Sequence, residues 1–438
     1  MGTDRLSPVV LDNPGVAARL LAFTPQSELA SLALLSFRWH QASVAALYRA
    51  PRFQSRYSNP LAALLKFLRT LQHQSSLPAL LAKNHSIDPF DDRPPVGSFV
   101  RILDLSVVKE SLYSSVPADF LSVILQGCPG LVSLNLASAE FATDQARRST
   151  AVATHVSLRT IDLSGAVNLT PESLQSLCRR FTSLESLNLS STHLNDAALA
   201  IIAAHCPRLV SVAVGSTSTT DASVQVLISR CPQLACIDLS RCLRISDSSL
   251  DILALSSLQL QSLVLWDCRN ASFDALIRLV KSKGTSLRRL NLRGIQCNRK
   301  NAPMTFERLA ELLHSLPAIE ELSMDYVWID AVRQWKPDVL DLFQALSRLR
   351  SLTFSGISAE TPNNIIWNLG FKIPNLQRLR LLRDSYERDS IVTDMYADVE
   401  SGSLMIDAGF VKRFHELRGP VVKMSLELEG EADRPYWT

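Results

Sequence analysis

The sequence lacks the marks of several common protein classes. Charged residues make up only 20% of the 438 residues, and their formal net charge of +3 leaves no basic field that would attract nucleic acid. No uninterrupted apolar run of about 18 residues occurs, and residues 1–11 contain no basic patch followed by an apolar core. We therefore expect no nucleic-acid or membrane partner, and a soluble protein of the cytoplasm, the nucleus or both.

Catalytic and metal-binding motifs are missing as well. The eight cysteines form no CxxC pair, and the eight histidines have no metal-ligand spacing. The sequence contains no GxGxxG, P-loop, HExxH or GxSxG phrase. We expect a protein that is not an enzyme and that holds no metal or cofactor.

A six-residue phrase, apolar-x-x-apolar-x-apolar, recurs through most of the chain. Its fourth and sixth residues are apolar with a variable residue between them, which is the period of two of a half-buried strand. Each phrase therefore predicts a short strand, and a shorter phrase at 421–426 predicts a C-terminal capping strand. The full phrases begin at residues 100, 131, 158, 184, 209, 234, 260, 287, 319, 349 and 376.

Helical patterns lie between the phrases, with apolar residues at every third or fourth position. Capping residues precede four of them, at Thr170-Pro171, Asn195-Asp196, Thr220-Asp221 and Ser246-Asp247. One strand-helix unit cannot cover its own apolar face, whereas stacked units bury one another. The predicted fold class is α/β, a solenoid with a curved parallel β-sheet and outer helices.

The repeats resemble the cysteine-containing leucine-rich-repeat family over about residues 100–385. The resemblance rests on Cys-Pro-x-Leu at Cys128, Cys206 and Cys231, on Cys242 and Cys268 after the strands, and on Arg244-Ile-Ser-Asp247 at a helix start. Cysteines at equivalent repeat positions are expected to be small buried hydrophobic residues with weak S–H donors. Cys236 is the exception because it falls on an outward strand position, yet no histidine or second cysteine is placed to activate it.

Residues 14–50 contain three short helical patterns and no strand phrase. This small all-α module resembles an F-box: Leu29, Leu32, Leu34-Leu35-Ser36-x-Arg38-Trp39, Leu47-Tyr48 and Pro51 match that family, whereas Asp12–Val16 replaces its Leu-Pro-x-Glu-Ile start. The resemblance implies docking on the Skp-type adaptor of a cullin-RING ubiquitin ligase, with the repeats selecting a substrate protein. The implied adaptor-binding residues are Pro14, Val16, Leu20, Leu29, Leu32, Leu35 and Trp39.

Two other interpretations stay open. The N-terminal helices fit a cap that hides the apolar end of a repeat array, which would make the chain a ligase-independent scaffold or inhibitor. Leucine-rich-repeat activators of small GTPases have a similar architecture, but their repeats are longer and richer in asparagine, and they lack an F-box-like start.

Alternation places the third and fifth residues of each phrase, and those just after it, on the concave face. This face is smooth and weakly charged in the phrases from 131 to 234, whereas later phrases carry Trp, Tyr and Arg, which are enriched at binding hot spots. The insertions 297–318 and 326–348 lie in the same half, with Trp328, Trp335 and Trp367 in or near it. We expect an acidic or phosphorylated substrate segment to bind there. The predicted substrate-binding residues are Trp266, Asp267, Arg289, Arg293, Glu321, Asp325, Tyr326, Arg378, Arg380 and Arg383.

These patterns together predict the domain organisation of the chain. The predicted segments are a disordered N-terminus at 1–11, the F-box-like module at 12–52, a linking helix or first repeat with a loop at 53–99, the repeats at 100–383, and a C-terminal cap and tail at 384–438.

Overall fold

The structure is a computed structural model that divides into two compact units, residues 1–209 and 210–438. This division falls inside the segment predicted to form the repeats, and the predicted domain boundaries stay a prediction. The residues that the structure describes are 21, 24, 37–53, 59–81, 95–108, 116–117, 119–139, 157–295, 304–329, 339–357, 373–383 and 423–428.

The first unit begins with helices and continues as strands alternating with helices. Its strands pair in parallel and in chain order, β1 to β4. The described elements are α1 (Phe37–Arg49), α2 (Pro60–Leu81), a 3-10 turn (Val96–Phe99), β1 (Ile102–Asp104), α3 (Phe120–Gly127), β2 (Ser133–Asn135), β3 (Thr160–Asp162), α4 (Pro171–Cys178), β4 (Ser186–Asn188) and α5 (Asp196–His205).

The second unit repeats the same alternation, and its strands also pair in parallel and in chain order, from β5 to β12. The described elements are β5 (Ser211–Ala213), α6 (Asp221–Arg230), β6 (Cys236–Asp238), α7 (Asp247–Leu255), β7 (Ser262–Val264), α8 (Phe273–Lys283), β8 (Arg289–Asn291), α9 (Phe306–His314), β9 (Glu321–Asp325), α10 (Val339–Gln344), β10 (Ser351–Ile357), β11 (Arg378–Arg383) and β12 (Lys423–Leu428).

The strand register confirms the fold predicted from the repeated phrase. Partners in neighbouring strands are residues at the same phrase position, as in the pairing of Leu134 with Ile161 and of Ile237 with Leu263. These fourth-position side chains are buried, and so are the sixth-position Leu189 and Leu239. Each unit therefore stacks equivalent apolar residues in rows, which removes them from water. The predicted capping strand is present as β12, which pairs with β11.

The predicted helix starts are also confirmed. The side chains of Thr170, Asn195 and Ser246 accept hydrogen bonds from backbone N–H groups in the first turns of α4, α5 and α7. Helix α6 begins at Asp221 as predicted, but the side chain of Thr220 makes no capping hydrogen bond to it. Ser272 and Thr305 cap α8 and α9 in the same way. Each cap satisfies a donor that has no partner within its own helix, and this fixes where the helix begins.

Carboxylates in the first helical turn connect successive repeats. Asp221 of α6 accepts hydrogen bonds from the backbone N–H and the hydroxyl of Ser246, at 2.9 and 2.6 Å, and from the hydroxyl of Ser249 at 2.5 Å. Asp247 accepts the equivalent two bonds from Ser272. Burial by itself would raise the pKa of Asp221, but the hydrogen bonds from Ser246 and Ser249 outweigh it and hold this pKa below its ordinary value.

Replacing Asp221 with Asn should lower the free energy of unfolding by about 1 to 2 kcal/mol at neutral pH, because charge-assisted hydrogen bonds are lost. A depressed carboxyl pKa contributes stability above the unfolded-state pKa, and this contribution disappears as the pH falls through the lower folded-state value. Urea unfolding between neutral pH and pH of about 3 would measure both effects. Asp251→Asn is the matched control, since Asp251 bonds to Arg278 at the exposed surface. Equal loss in both variants would contradict a special role for Asp221.

The described N-terminal helices contact the first repeat. Helix α1 confirms the helical pattern predicted over residues 38–48, and α2 confirms the helix expected at 59–72 and extends it to Leu81. The backbone N–H of Arg101 donates to the carbonyl of Arg49 at 2.9 Å, and α1 packs against the 3-10 turn. The end of α1 is therefore attached to the residue just before β1.

Candidate functional site

The parallel register of the second unit aligns the third residues of successive phrases across the sheet. We call the side of the sheet that carries the third and fifth phrase positions the strand face. Small and charged side chains alternate irregularly along this row, and Arg289 and Arg378 are exposed. The described row, read from β5 to β11, is Ser211, Cys236, Ser262, Arg289, Glu321, Ser351 and Arg378.

Arg378 pairs with Glu321 across the intervening strand. The guanidinium of Arg378 on β11 donates to the carboxylate of Glu321 on β9 at 3.1 Å, and Ser351 of β10 lies between them in the register. The small side chain of Ser351 leaves room for the two long side chains to meet. Two of the predicted substrate-binding residues therefore form an ion pair with each other. Because the pair is partly exposed, it contributes little to the stability of the fold.

Trp266 lies between two arginines. The guanidinium carbon of Arg293 is 5.0 Å from the centre of the indole ring, and that of Arg241 is 5.6 Å from it. Cations over an indole face are attracted by the negative face of the ring. The indole is partly exposed and Arg241 is exposed, whereas Arg293 is only 2% exposed.

Several of the turns after the strands share one hydrogen-bonding pattern. Asx side chains at the fifth phrase position accept the N–H two residues on, as Asp162 does from Ser164 at 2.8 Å and Asp238 from Ser240 at 2.8 Å. Asn135, Asn188 and Asn291 make the same bond. These polar residues therefore hold the turn, although they share the face predicted to bind a partner.

In the seven consecutive phrases that start at residues 131 to 287, the residue three positions after the fifth phrase residue has a left-handed backbone. Gly294 occupies this position after β8 with a φ of 71°, and Arg241 and Asp267 occupy it with a φ of 56° each. The N–H of Arg241 donates to the Trp266 carbonyl at 2.6 Å, and that of Asp267 to the Arg293 carbonyl at 2.8 Å. Left-handed backbone is costly for residues other than glycine, so the repeat geometry fixes where these two side chains leave the turn.

The sequence matches no family model and no curated protein. The chain has a leucine-rich-repeat fold. Among solved structures it is similar to a chain of the yeast Rad7 and Elc1 complex, with 15% identity, coverage of 91% of this chain and 92% of that chain, and a TM-score of 0.47. It is also similar to the leucine-rich-repeat protein LegL7 of Legionella pneumophila, with 18% identity, coverage of 66% and 95%, and a TM-score of 0.40. A third similar structure is an internalin of Listeria monocytogenes, with 14% identity, coverage of 64% of this chain and 67% of that chain, and a TM-score of 0.31.

Two predicted substrate-binding residues of this leucine-rich-repeat chain are not exposed as expected. Arg293 lies against Trp266, and its backbone N–H and Nε both donate to the amide oxygen of Asn291, at 3.2 and 3.4 Å. Tyr326 is 3% exposed and packs edge-on against Phe354, with ring centres 6.0 Å apart. Both were expected on the surface because they follow a strand, but each side chain packs against an aromatic ring of another repeat.

The other predicted substrate-binding residues differ in how far they are engaged within the chain. Asp267 forms an ion pair with Arg269 at 2.6 Å, and Asp325 accepts from the Gly294 N–H at 2.9 Å and from the Ser355 hydroxyl at 2.5 Å. Arg380 is half-buried, while Arg289 is exposed. The side chain of Arg383 lies outside the described part. The substrate role of the whole set stays a prediction.

The predicted adaptor-binding residues cannot be placed in the same way. The backbone of Trp39 lies in α1, but its side chain is outside the described part. Pro14, Val16, Leu20, Leu29, Leu32 and Leu35 also lie outside the described residues.

The cysteines are packing residues, as the repeat pattern predicts. The thiols of Cys242 and Cys268 donate to the carbonyls of Val214 and Leu239 in the preceding repeat, at 3.1 and 3.0 Å. Burial raises the pKa of Cys242 to about 11. Burial also raises the pKa of Cys236, although Arg289 opposes the shift, so this outward thiol remains protonated at neutral pH.

Within the described part of the chain, no group of three or more His, Cys, Asp or Glu side chains is arranged to hold a metal ion. None of the described helices combines the length and the apolar character needed to cross a membrane.

Arg241 is a candidate binding residue that the alternation of the strand phrase does not predict. It lies outside the strand phrase, so alternation does not place it on the strand face. The regular spacing of the left-handed positions 241, 267 and 294 could have identified it. Arg241 is the equivalent, one repeat earlier, of Asp267, which directly follows Trp266.

Proposed function

We propose that the chain is a non-enzymatic protein-binding subunit that selects substrates for an SCF-type cullin-RING ubiquitin ligase in the cytoplasm, the nucleus or both. The strand face of the second unit would hold a substrate protein. Residues 12–52 would dock a Skp-type adaptor and, through it, a cullin.

The observation that carries the proposal is the composition of the strand face between β6 and β11. An array of aligned parallel strands supplies a broad surface, and this part displays an indole with exposed guanidinium groups. Aromatic and guanidinium side chains dominate protein-binding hot spots, because they bring large contact area and several hydrogen bonds. By contrast, β2, β3 and β4 of the first unit present the small or polar residues Ser133, Thr160 and Ser186 at the third position, and β1 presents the exposed Ile102.

The F-box resemblance supports the ligase assignment. It covers residues 14–51 and places matching residues in the middle and at the end of the module. Helix α1 occupies the last of the three helical patterns, and α2 and the 3-10 turn lie between it and β1. An adaptor-binding module joined to a substrate-binding repeat array would bring a substrate to the ligase.

A second candidate function is a ligase-independent scaffold in which the N-terminal helices only cap the array. The contact between α1 and the 3-10 turn favours it, together with the hydrogen bond from Arg101 to Arg49. A repeat array needs a cover for its apolar end, and helices attached to the first strand can provide one.

A pull-down with a purified Skp-type adaptor separates the two functions. We expect the full-length chain to retain the adaptor and a chain lacking residues 1–58 to lose it. The paired substitution Leu32→Asp and Leu35→Asp should also remove binding, because charged groups cannot replace the apolar contacts that the resemblance implies. Leu255→Asp is the matched control, since Leu255 is 89% exposed at the end of α7.

Circular dichroism should show that each variant retains its folded signal, so that lost binding is not lost folding. If the folded full-length chain fails to retain the adaptor, the ligase assignment is wrong and the capping function is favoured. Binding that survives deletion of residues 1–58 would move the adaptor site into the repeats.

A further inference from the structure

Two buried cysteines of the first unit contact each other through their thiols. Cys178 is the last residue of α4, and Cys206 directly follows the last residue of α5. Helix α4 packs against α5, and the side chains of Cys178 and Cys206 are hydrogen-bonded to each other between the two repeats. Both residues are at most 2% exposed, and both are free thiols in this structure. Two reduced sulfur atoms therefore lie in contact across a repeat boundary.

This contact follows from the different places that the two cysteines occupy in their repeats. Cys178 lies six residues before the phrase that begins at residue 184, whereas Cys206 lies three residues before the phrase that begins at residue 209. Side chains at different repeat positions can point towards each other, whereas equivalent side chains of stacked repeats run side by side. An S–S bond is about 2.05 Å long, so sulfur atoms already in hydrogen-bond contact need to approach by only about 1 to 2 Å to form it.

Cys242 and Cys268 provide a contrast within the same chain. They also lie in successive repeats and are fully buried, but both come eight residues after the start of their phrases. The thiol of Cys242 donates to the Val214 carbonyl at 3.1 Å, and that of Cys268 donates to the Leu239 carbonyl at 3.0 Å. Each of these thiols is therefore directed at a backbone oxygen and not at the other sulfur.

The thiols of Cys178 and Cys206 are protected from oxidants while the helix ends are closed. The hydrogen bond to Cys206 and burial both raise the pKa of Cys178 well above its ordinary value. The thiolate is the reactive form, so the closed pair reacts slowly at neutral pH. Both cysteines lie at carboxyl ends of helices, which open more readily than helix centres. Oxidation should therefore require opening of a helix end and should become faster as the pH rises.

We propose that Cys178 and Cys206 form a reversible disulfide in response to hydrogen peroxide, which makes the first unit redox-sensitive. The thiolate of one cysteine attacks a peroxide oxygen, which breaks the O–O bond and gives a sulfenic acid and one water. The thiol of the other cysteine then attacks the sulfenic sulfur, which forms the S–S bond and releases a second water. The two sulfur atoms lose two electrons, one peroxide accepts them, and both thiol protons end in the two waters.

The disulfide would add a covalent link between two successive repeats. Neighbouring repeats stabilise each other, and a link between residues 178 and 206 also limits the freedom of the unfolded chain. In a reducing compartment such a bond is transient, so it would form when an oxidant is present and be reversed by a reductant. This redox response does not depend on the proposed ligase role.

Peptide mapping of the full-length protein tests the link directly. The reduced protein is treated with hydrogen peroxide without denaturant, the remaining thiols are alkylated, and trypsin is added without reductant. Trypsin places Cys178 in peptide 160–179 and Cys206 in peptide 181–208, so mass spectrometry identifies their linked product. We expect at least about tenfold more of it than of the product that links Cys242 to Cys268, because only the first pair has its sulfur atoms in contact. Dithiothreitol should reverse the link.

Alanine variants separate this pair from general cysteine oxidation. Peroxide should raise the Tm of the wild-type protein, and Cys178→Ala should abolish both this rise and the linked product. Cys242→Ala is the matched control, because it also removes one buried thiol but should leave both effects unchanged. Circular dichroism verifies that each variant is folded, and Cys206→Ala replaces Cys178→Ala if the latter is not.

Three outcomes would overturn the proposal. The first is that the folded wild-type protein gives no product linking Cys178 to Cys206 after peroxide treatment. The second is an equal yield for the two cysteine pairs. The third is a product that appears only in urea, since it would then arise from the unfolded chain and not from the contact between α4 and α5.

Discussion

Replacing Leu239 with Asp should destabilise the second unit by several kcal/mol and unfold the repeats next to it. Leu239 is the sixth residue of its phrase, it is 0% exposed, and its N–H donates to the Val264 carbonyl at 2.9 Å. Removing a fully buried leucine costs about 1.5 to 3 kcal/mol, and an unpaired buried carboxylate costs more. Thermal unfolding followed by circular dichroism would measure the change in Tm.

Gln233→Asp provides the matched control, because it adds the same charge at an exposed position one residue before the same phrase. It should change the free energy of unfolding by less than about 0.5 kcal/mol. Leu187→Asp tests the first unit in the same way, since Leu187 is a buried fourth-position residue of β4. Unchanged thermal stability in either leucine variant would mean that the strand register is wrong.

Replacing Trp328 with Ala should lower the free energy of unfolding by about 3 to 5 kcal/mol, the range for removal of a large buried aromatic side chain. Trp328 was expected near the binding surface, but it is only 1% exposed. The Trp328 ring meets the Phe273 ring edge-on, with centres 5.6 Å apart. The guanidinium carbon of Arg308 lies 5.0 Å from the centre of the Phe273 ring. Urea unfolding of the purified variant would give the value.

The neighbouring Val327 supplies the comparison, because it is exposed and Val327→Ala removes little buried surface. Trp266→Ala should also cost less than Trp328→Ala, since Trp266 is partly exposed. Equal stability of the Trp328→Ala and Val327→Ala variants would contradict the buried contact between Trp328 and Phe273. Together these variants separate tryptophans that hold the fold from one that is available to a partner.

The repeated phrase determined most of the fold without any tertiary information. A strand that is buried on one side must alternate, and a fixed period makes each repeat bury the same positions. This is why the phrase positions of Leu134, Ile237 and Leu263 predicted both the strands and their partners. Capping residues similarly predicted the starts of α4, α5 and α7, because a helix end needs a local partner for its free N–H groups.

The candidate site was only partly predictable, because alternation gives the side of a strand but not the depth of a side chain. Asn188 and Asn291 share the strand face, yet both are buried and bond within their own turns. The pairing of Arg378 with Glu321 joins residues 57 positions apart and depends on the sheet register.

The sequence by itself determined the strand and helix alternation, the register and the buried positions of the cysteines, because each depends on local pattern and on the repeat period. Only the tertiary structure decided that Arg293, Tyr326 and Trp328 are buried and that Arg241 stacks on Trp266. Residues beyond the last strand position follow turns whose direction is set by hydrogen bonds to the next repeat. Their exposure therefore depends on neighbours 25 or more residues away, which no local pattern in the sequence specifies.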